Sequence, residues 1–148
     1  MWGMSFLHHM GITVGNTQAA VEFYAAVTSG AIDGPYVKSG PGVEAVTGHP
    51  GAQVVQTFIT PPHAGAVIEL LEYRGVPAQW IDPNNGHIGA AHPAIVVADI
   101  AAAIEACAQL GYQATADPQV ATAGPIEGYL YAYVIGPDEV RVELLQAP

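Results

Sequence analysis

The chain has 148 residues, 51% of them hydrophobic and 11% charged, which is enough to bury one core and too short for two ordinary domains. Three basic residues against 13 acidic ones give a formal net charge of −10, which repels nucleic-acid phosphates and anionic lipid surfaces and leaves a small molecule as the expected partner. The start of the chain lacks the basic flank and apolar run of a signal peptide, and Asp99 and Glu105 interrupt the most apolar later stretch, so neither a membrane span nor export is expected and the location is read as cytoplasmic.

The first strand-like run is "FLHHMGITV", Phe6 to Val14. Asn16 or Thr17 then caps a helix whose Ala20, Phe23, Tyr24 and Val27 recur at helical spacing, with Gly30 closing it. The stretch "PGVEAVTGHPGAQVVQTFIT" reads as further strands with Gly and Pro turns, and "AVIELLEY" closes the first half. A linker rich in Pro, Gly and Asn follows, "RGVPAQWIDPNNGHIGAA".

The second half repeats the plan. "HPAIVV" is a β-branched run, Asp99 caps a helix carrying Ile100, Ile104, Cys107 and Ala108, and Gly111 stops it. "GPIEGYLYAYVIGPDEV" reads as strands, with "GPDE" a tight turn before the closing strand "EVRVELLQ". The spacing is duplicated too: His9 lies seven residues before Asn16, and His92 seven before Asp99. Glu69 and Glu143 each stand in the string "ELL". From His to Glu is 60 residues in the first half and 51 in the second, so the first half carries about nine extra residues, expected as loop. The organisation is one domain over residues 1–148, built of two β-α-β-β-β modules at about 5–74 and 88–147, in the α+β class.

Alternation along the strands sorts the side chains. His9 shares a face with Gly11 and Thr13, while Met10, Ile12 and Val14 supply the apolar side; His92 shares a face with Ala94 and Val96. His8 falls on the face opposite His9 and has no repeated counterpart, since Ala91 stands there in the second half. Glu69 and Glu143 lie mid-strand among apolar residues, where a carboxylate is costly unless it is paired or bound to a cation. Two neutral imidazoles and two carboxylates around one divalent ion sum to zero charge. The donor set His9, Glu69, His92 and Glu143 suits Zn, Ni, Co, Mn or Fe and leaves two positions for substrate oxygens. Cys107, the lone cysteine, sits in an alanine-rich helical pattern and reads as a core residue.

With these motifs in place the chain resembles the vicinal oxygen chelate superfamily, which holds glyoxalase I, methylmalonyl-CoA epimerase, extradiol dioxygenases and bleomycin resistance proteins. The strands "HHMGITV" and "HPAIVVADI" are similar to its two histidine-bearing openings, and "IELLEY" and "GPDEVRVELLQ" to its two glutamate-bearing closures. The resemblance implies two modules forming a cupped mixed sheet around a metal held by His9, Glu69, His92 and Glu143, and a homodimer. It also implies an enzyme that stabilises an enolate or related anion.

Retention of all four ligands favours proton transfer next to a carbonyl, of the isomerase, epimerase or lyase (glyoxalase I) type, with Glu143 or Glu69 moving the proton. Epimerases of the superfamily carry a further acid in the first module, and Glu44 is the one acid between Gly34 and Ile68; a solvated strand residue is the competing reading. The alternatives are an Fe(II) extradiol dioxygenase using His9, His92 and Glu143, against which Glu69 counts, and a metal-free binding protein. Arg141, two positions from Glu143, and Tyr131, in the alternating series Tyr129, Tyr131, Tyr133, are the candidate substrate contacts.

Overall fold

The computed structural model describes residues 5–63 and 65–148, so the reading of the first four residues lies outside it. Contacts divide the chain into two units, the first ending at Gln79, the second running from Trp80 and including Ala26–Thr28. The first unit contains β1 (His9–Thr13), all of α1 (Thr17–Thr28) but its last three residues, β2 (Ala31–Lys38), α2 (Pro41–Thr47), β3 (Gln53–Thr60) and β4 (Val67–Arg74). The second contains β5 (Ala94–Val96), α3 (Ile100–Gln109), β6 (Gln119–Val120), β7 (Leu130–Ile135), a 3-10 turn at Pro137–Glu139 and β8 (Arg141–Gln146).

Each unit builds one four-stranded mixed sheet, in the orders β1-β4-β3-β2 and β5-β8-β7-β6. The histidine-bearing strand therefore lies beside the glutamate-bearing one, and the two run parallel. In the first unit Ile12, Val14, Val55, Ile59, Ile68 and Leu70 are buried, whereas Gly11 and Thr13 on the alternate face are exposed. In the second, Ile95, Ala132, Val134, Val142 and Leu144 are buried on the sheet, as are Ile100 and Cys107 on α3. Burial pushes the Cys107 thiol up to about 11, which fits a packed core residue rather than a nucleophile.

The two caps are equivalent. Asn16 Oδ1 accepts from Ala19 N and Asp99 Oδ1 from Ala102 N, each at 3.0 Å. The sequence gives no hint of a second latch: Thr17 N donates to Glu72 Oε2 at 3.1 Å and Ile100 N to Gln146 Oε1 at 2.8 Å. The first amide of each helix is thus tied to the side chain three residues beyond the closing-strand glutamate. Hydrogen bonds from Thr17 and then from Arg74 hold the Glu72 carboxyl below its ordinary range.

Three local expectations change. Pro41–Thr47 is helix, not strand, so the extra residues of the first half include α2 rather than loop alone, and Glu44 sits on that helix. Pro41 at the first turn suits helix initiation, and Gly40 and Gly48, at φ +97° and +72°, end the segment on both sides. The second strand is instead Ala31–Lys38, an edge strand that tolerates Pro35 because its register shifts between Asp33 and Tyr36. At the end of α1 the left-handed cap is Ser29, at φ +52°, not Gly30.

Candidate metal-binding site

Register places the candidate ligands. In the first unit Gly11 is the partner of Glu69, and in the second Ala94 is the partner of Glu143. Each histidine stands two residues before that small residue, so its ring reaches along the same face toward the carboxylate. His9 Nε2 is 3.1 Å from Glu69 Oε2, and His92 Nε2 is 3.2 Å from Glu143 Oε2. Among the described residues, no three His, Cys, Asp or Glu side chains are grouped so that they could hold a metal ion.

A bare contact of this length is a hydrogen bond, and it is also the spacing of two neighbouring metal donors. Two atoms about 2.1 Å from one ion and at a right angle lie about 3.0 Å apart. The surroundings fit a cation as well. Glu69 is 7% exposed, and a Cβ on Gly11 would stand 3.3 Å from its Oε2, so the glycine leaves that oxygen its space. Glu69 Oε1 accepts a hydrogen bond from Gln56 Nε2, which fixes the carboxylate and leaves Oε2 toward His9.

Each pair also has an aromatic neighbour from the central strand. Phe58 pairs with Glu69 across β3 and β4, and its ring meets His9 edge-on at 6.4 Å. Tyr133 pairs with Glu143 across β7 and β8 and meets His92 edge-on at 5.2 Å, with its hydroxyl 3.4 Å from His92 Nε2. Burial first, then the charge of Glu143 and the neighbouring Tyr131, pushes the Tyr133 hydroxyl above its ordinary range, so it keeps its proton.

The other candidates fall as follows. Arg141 shares the Glu143 face of β8, with Nη1 donating to Glu139 O at 2.7 Å. Tyr131 pairs with Leu145 and lies on the same side of β7 as Tyr133. Glu44 is half-buried on α2, and its carbonyl accepts from Gly48 N at 2.9 Å. His8, expected to point away from His9, instead brings its Nδ1 to 2.9 Å from His9 Nδ1, because the strand begins only at His9 and alternation does not extend before it.

A family model described as the Glyoxalase/Bleomycin resistance protein/Dioxygenase superfamily matches residues 6–144. The chain belongs to this superfamily. It is 32% identical to a 2-epi-5-epi-valiolone epimerase from Actinomyces sp., over 99% of this chain and 81% of that protein. Among solved structures, a glyoxalase family protein from Bacillus cereus superposes with a TM-score of 0.85 at 17% identity, covering 97% of this chain and 95% of that one. The trypanothione-dependent glyoxalase I of Leishmania major gives 0.61 at 19% identity, covering 97% and 87%. These structures share the superfamily fold.

Proposed function

We propose that this member of the superfamily is a metal-assisted epimerase that exchanges a proton at the carbon next to a carbonyl, on a small oxygen-rich ketone of the 2-epi-5-epi-valiolone kind. The observation that carries the reading is the duplicated His–Glu pair, 3.1 and 3.2 Å apart at matching registers, in a chain related to an epimerase over nearly its full length. His9, Glu69, His92 and Glu143 are the proposed holders of one divalent ion, the two half-sites coming from one chain or from two copies of it. Bound there, the ion supplies Lewis-acid polarisation of the substrate carbonyl, which lowers the cost of charge on its oxygen.

The two glutamates divide the work. Glu69 is fixed on both oxygens, by Gln56 and His9, and is the anchoring carboxylate. Glu143 has His92 as its side-chain partner and, among the described residues, nothing comparable to Gln56, so its carboxylate is the one free to accept and return the proton. Tyr133, kept neutral beside it, packs edge-on against the His92 ring and limits the ring's orientations.

The test is solvent deuterium exchange into 2-epi-5-epi-valiolone, followed by NMR on protein whose metal content has been measured. Glu143→Gln should slow exchange by about 10²–10⁴-fold while the protein still binds metal. Glu69→Gln should instead weaken metal retention. A fully active metal-free protein, or the absence of exchange with every ring ketone tried, would overturn the reading. Sedimentation with and without metal decides whether two copies share the centre.

A further inference from the structure

His9 is held on both ring nitrogens. Its Nε2 stands 3.1 Å from Glu69 Oε2, and its Nδ1 lies 2.9 Å from Nδ1 of the adjacent His8, the two rings meeting edge-on at 5.1 Å. Neighbours on a regular strand point to opposite faces and do not meet in this way. His8 does so because it stands one residue before β1, where Val67 N donates to its carbonyl at 3.1 Å and pins the backbone while the side chain escapes the alternation of the strand. The Phe6 ring lies 6.3 Å from the His8 ring, and Phe58 meets His9 edge-on.

Two imidazole nitrogens in contact share one N–H, so one ring donates and the other accepts. A neutral imidazole carries a single N–H, and the nitrogen that bears it has no lone pair for a metal. For Nε2 of His9 to offer its lone pair on the Glu69 side, Nδ1 must carry the proton, and a partner that accepts from Nδ1–H fixes both this tautomer and the rotation of the ring. Metal centres commonly use a carboxylate or a carbonyl for this purpose; here a second imidazole stands in that place. His8 is exposed, so water satisfies its own N–H when its Nδ1 accepts. The second unit has no equivalent: Ala91 takes the place of His8, and His92 meets Glu143 and Tyr133 through Nε2, with no partner at Nδ1 among the described residues.

From this we infer that His8 is a positioning residue of the metal site, accepting from His9 Nδ1–H so that His9 Nε2 faces the ion unprotonated. With Gln56 on Glu69, the first unit then has a run of four side chains in contact, Gln56, Glu69, His9 and His8, that sets both of its donors in advance of the ion. The unit that carries the anchoring carboxylate is thus also the one whose histidine is locked. The inference rests on the metal reading for what His9 binds and on the paired rings for how it is held.

Zinc titration of the full chain in competition with a chelator tests it, together with ¹⁵N-histidine NMR of the zinc-loaded protein. His8→Leu should weaken zinc binding by about 10- to 100-fold, the loss expected when a metal-bound histidine is deprived of its outer partner. His8→Asn, whose Oδ1 replaces Nδ1 as the acceptor, should bind zinc within about threefold of native, a rescue that a purely steric role would not give. The spectra should place the His9 proton on Nδ1 in native protein and in His8→Asn, and show that N–H exchanging faster with water in His8→Leu. Equal zinc affinity in native protein and His8→Leu, or an equal loss in both variants, overturns the positioning role; the function stands if native protein still exchanges the α-proton of 2-epi-5-epi-valiolone. If the loss and the rescue appear but native protein exchanges no deuterium, the epimerase reading is overturned and the role of His8 stands. Native protein with no affinity for zinc overturns the metal reading and the role together.

Discussion

Glu72 and Gln146 occupy one position in two copies, yet only the first can titrate. Its folded pKa lies below the ordinary 4.5, so its contribution is complete above that value and is lost as the pH falls through the lower folded one. Glu72→Gln should therefore cost about 0.5–1 kcal/mol at pH 7 in urea unfolding, and the gap should close as the pH falls below the ordinary carboxylate range. Gln146→Ala should lose its latch with no pH dependence of its own. Neither latch was legible, because a polar residue near a strand end signals nothing until the helix start is placed beside it. The four candidate ligands, by contrast, stood out because two half-chains repeat them at one offset from their caps. Gln56 stayed hidden for the same reason in reverse, since its register counterpart in the second unit is Tyr131 and nothing repeats.

Helix starts and closing strands were readable because capping residues and unbroken apolar alternation are local signals. The segment between α1 and β3 was not, and the causes are local too. The edge strand β2 carries a Gly-Pro step at its register shift, which looks like a turn, while α2 is flanked by glycines and has two valines that mimic a strand. Gly34 is where this edge is most constrained: φ is +125°, and a Cβ there would meet Gln56 O at 2.9 Å. Gly34→Ala should destabilise the protein by about 1–3 kcal/mol, measured by denaturant unfolding. Because the clashing carbonyl belongs to Gln56, the same variant should also loosen the hold of Gln56 on Glu69 and weaken metal retention.

At the scale of the molecule, two units each present a histidine and a glutamate, the donor set proposed above to hold one divalent ion. Binding to the folded state alone stabilises by mass action. Zinc at 100 times its dissociation constant should add about 2.7 kcal/mol, or roughly 5–10 °C in Tm for a chain of this size. His9→Ala and His92→Ala, in opposite units, should each abolish that shift in a thermal melt. An unchanged shift in either variant would remove that histidine from the ligand set.

The strand order in which the first strand lies beside the last has a consequence for how the protein is made. A chain leaving the ribosome carries His9 about 60 residues ahead of Glu69, and at about 5–20 residues per second the histidine waits several seconds for its partner. The second unit imposes a slightly shorter wait on His92, 51 residues ahead of Glu143. Each half-site is therefore absent until its unit has been synthesised through the closing strand, so a truncated product retains a histidine without the carboxylate that completes its pair.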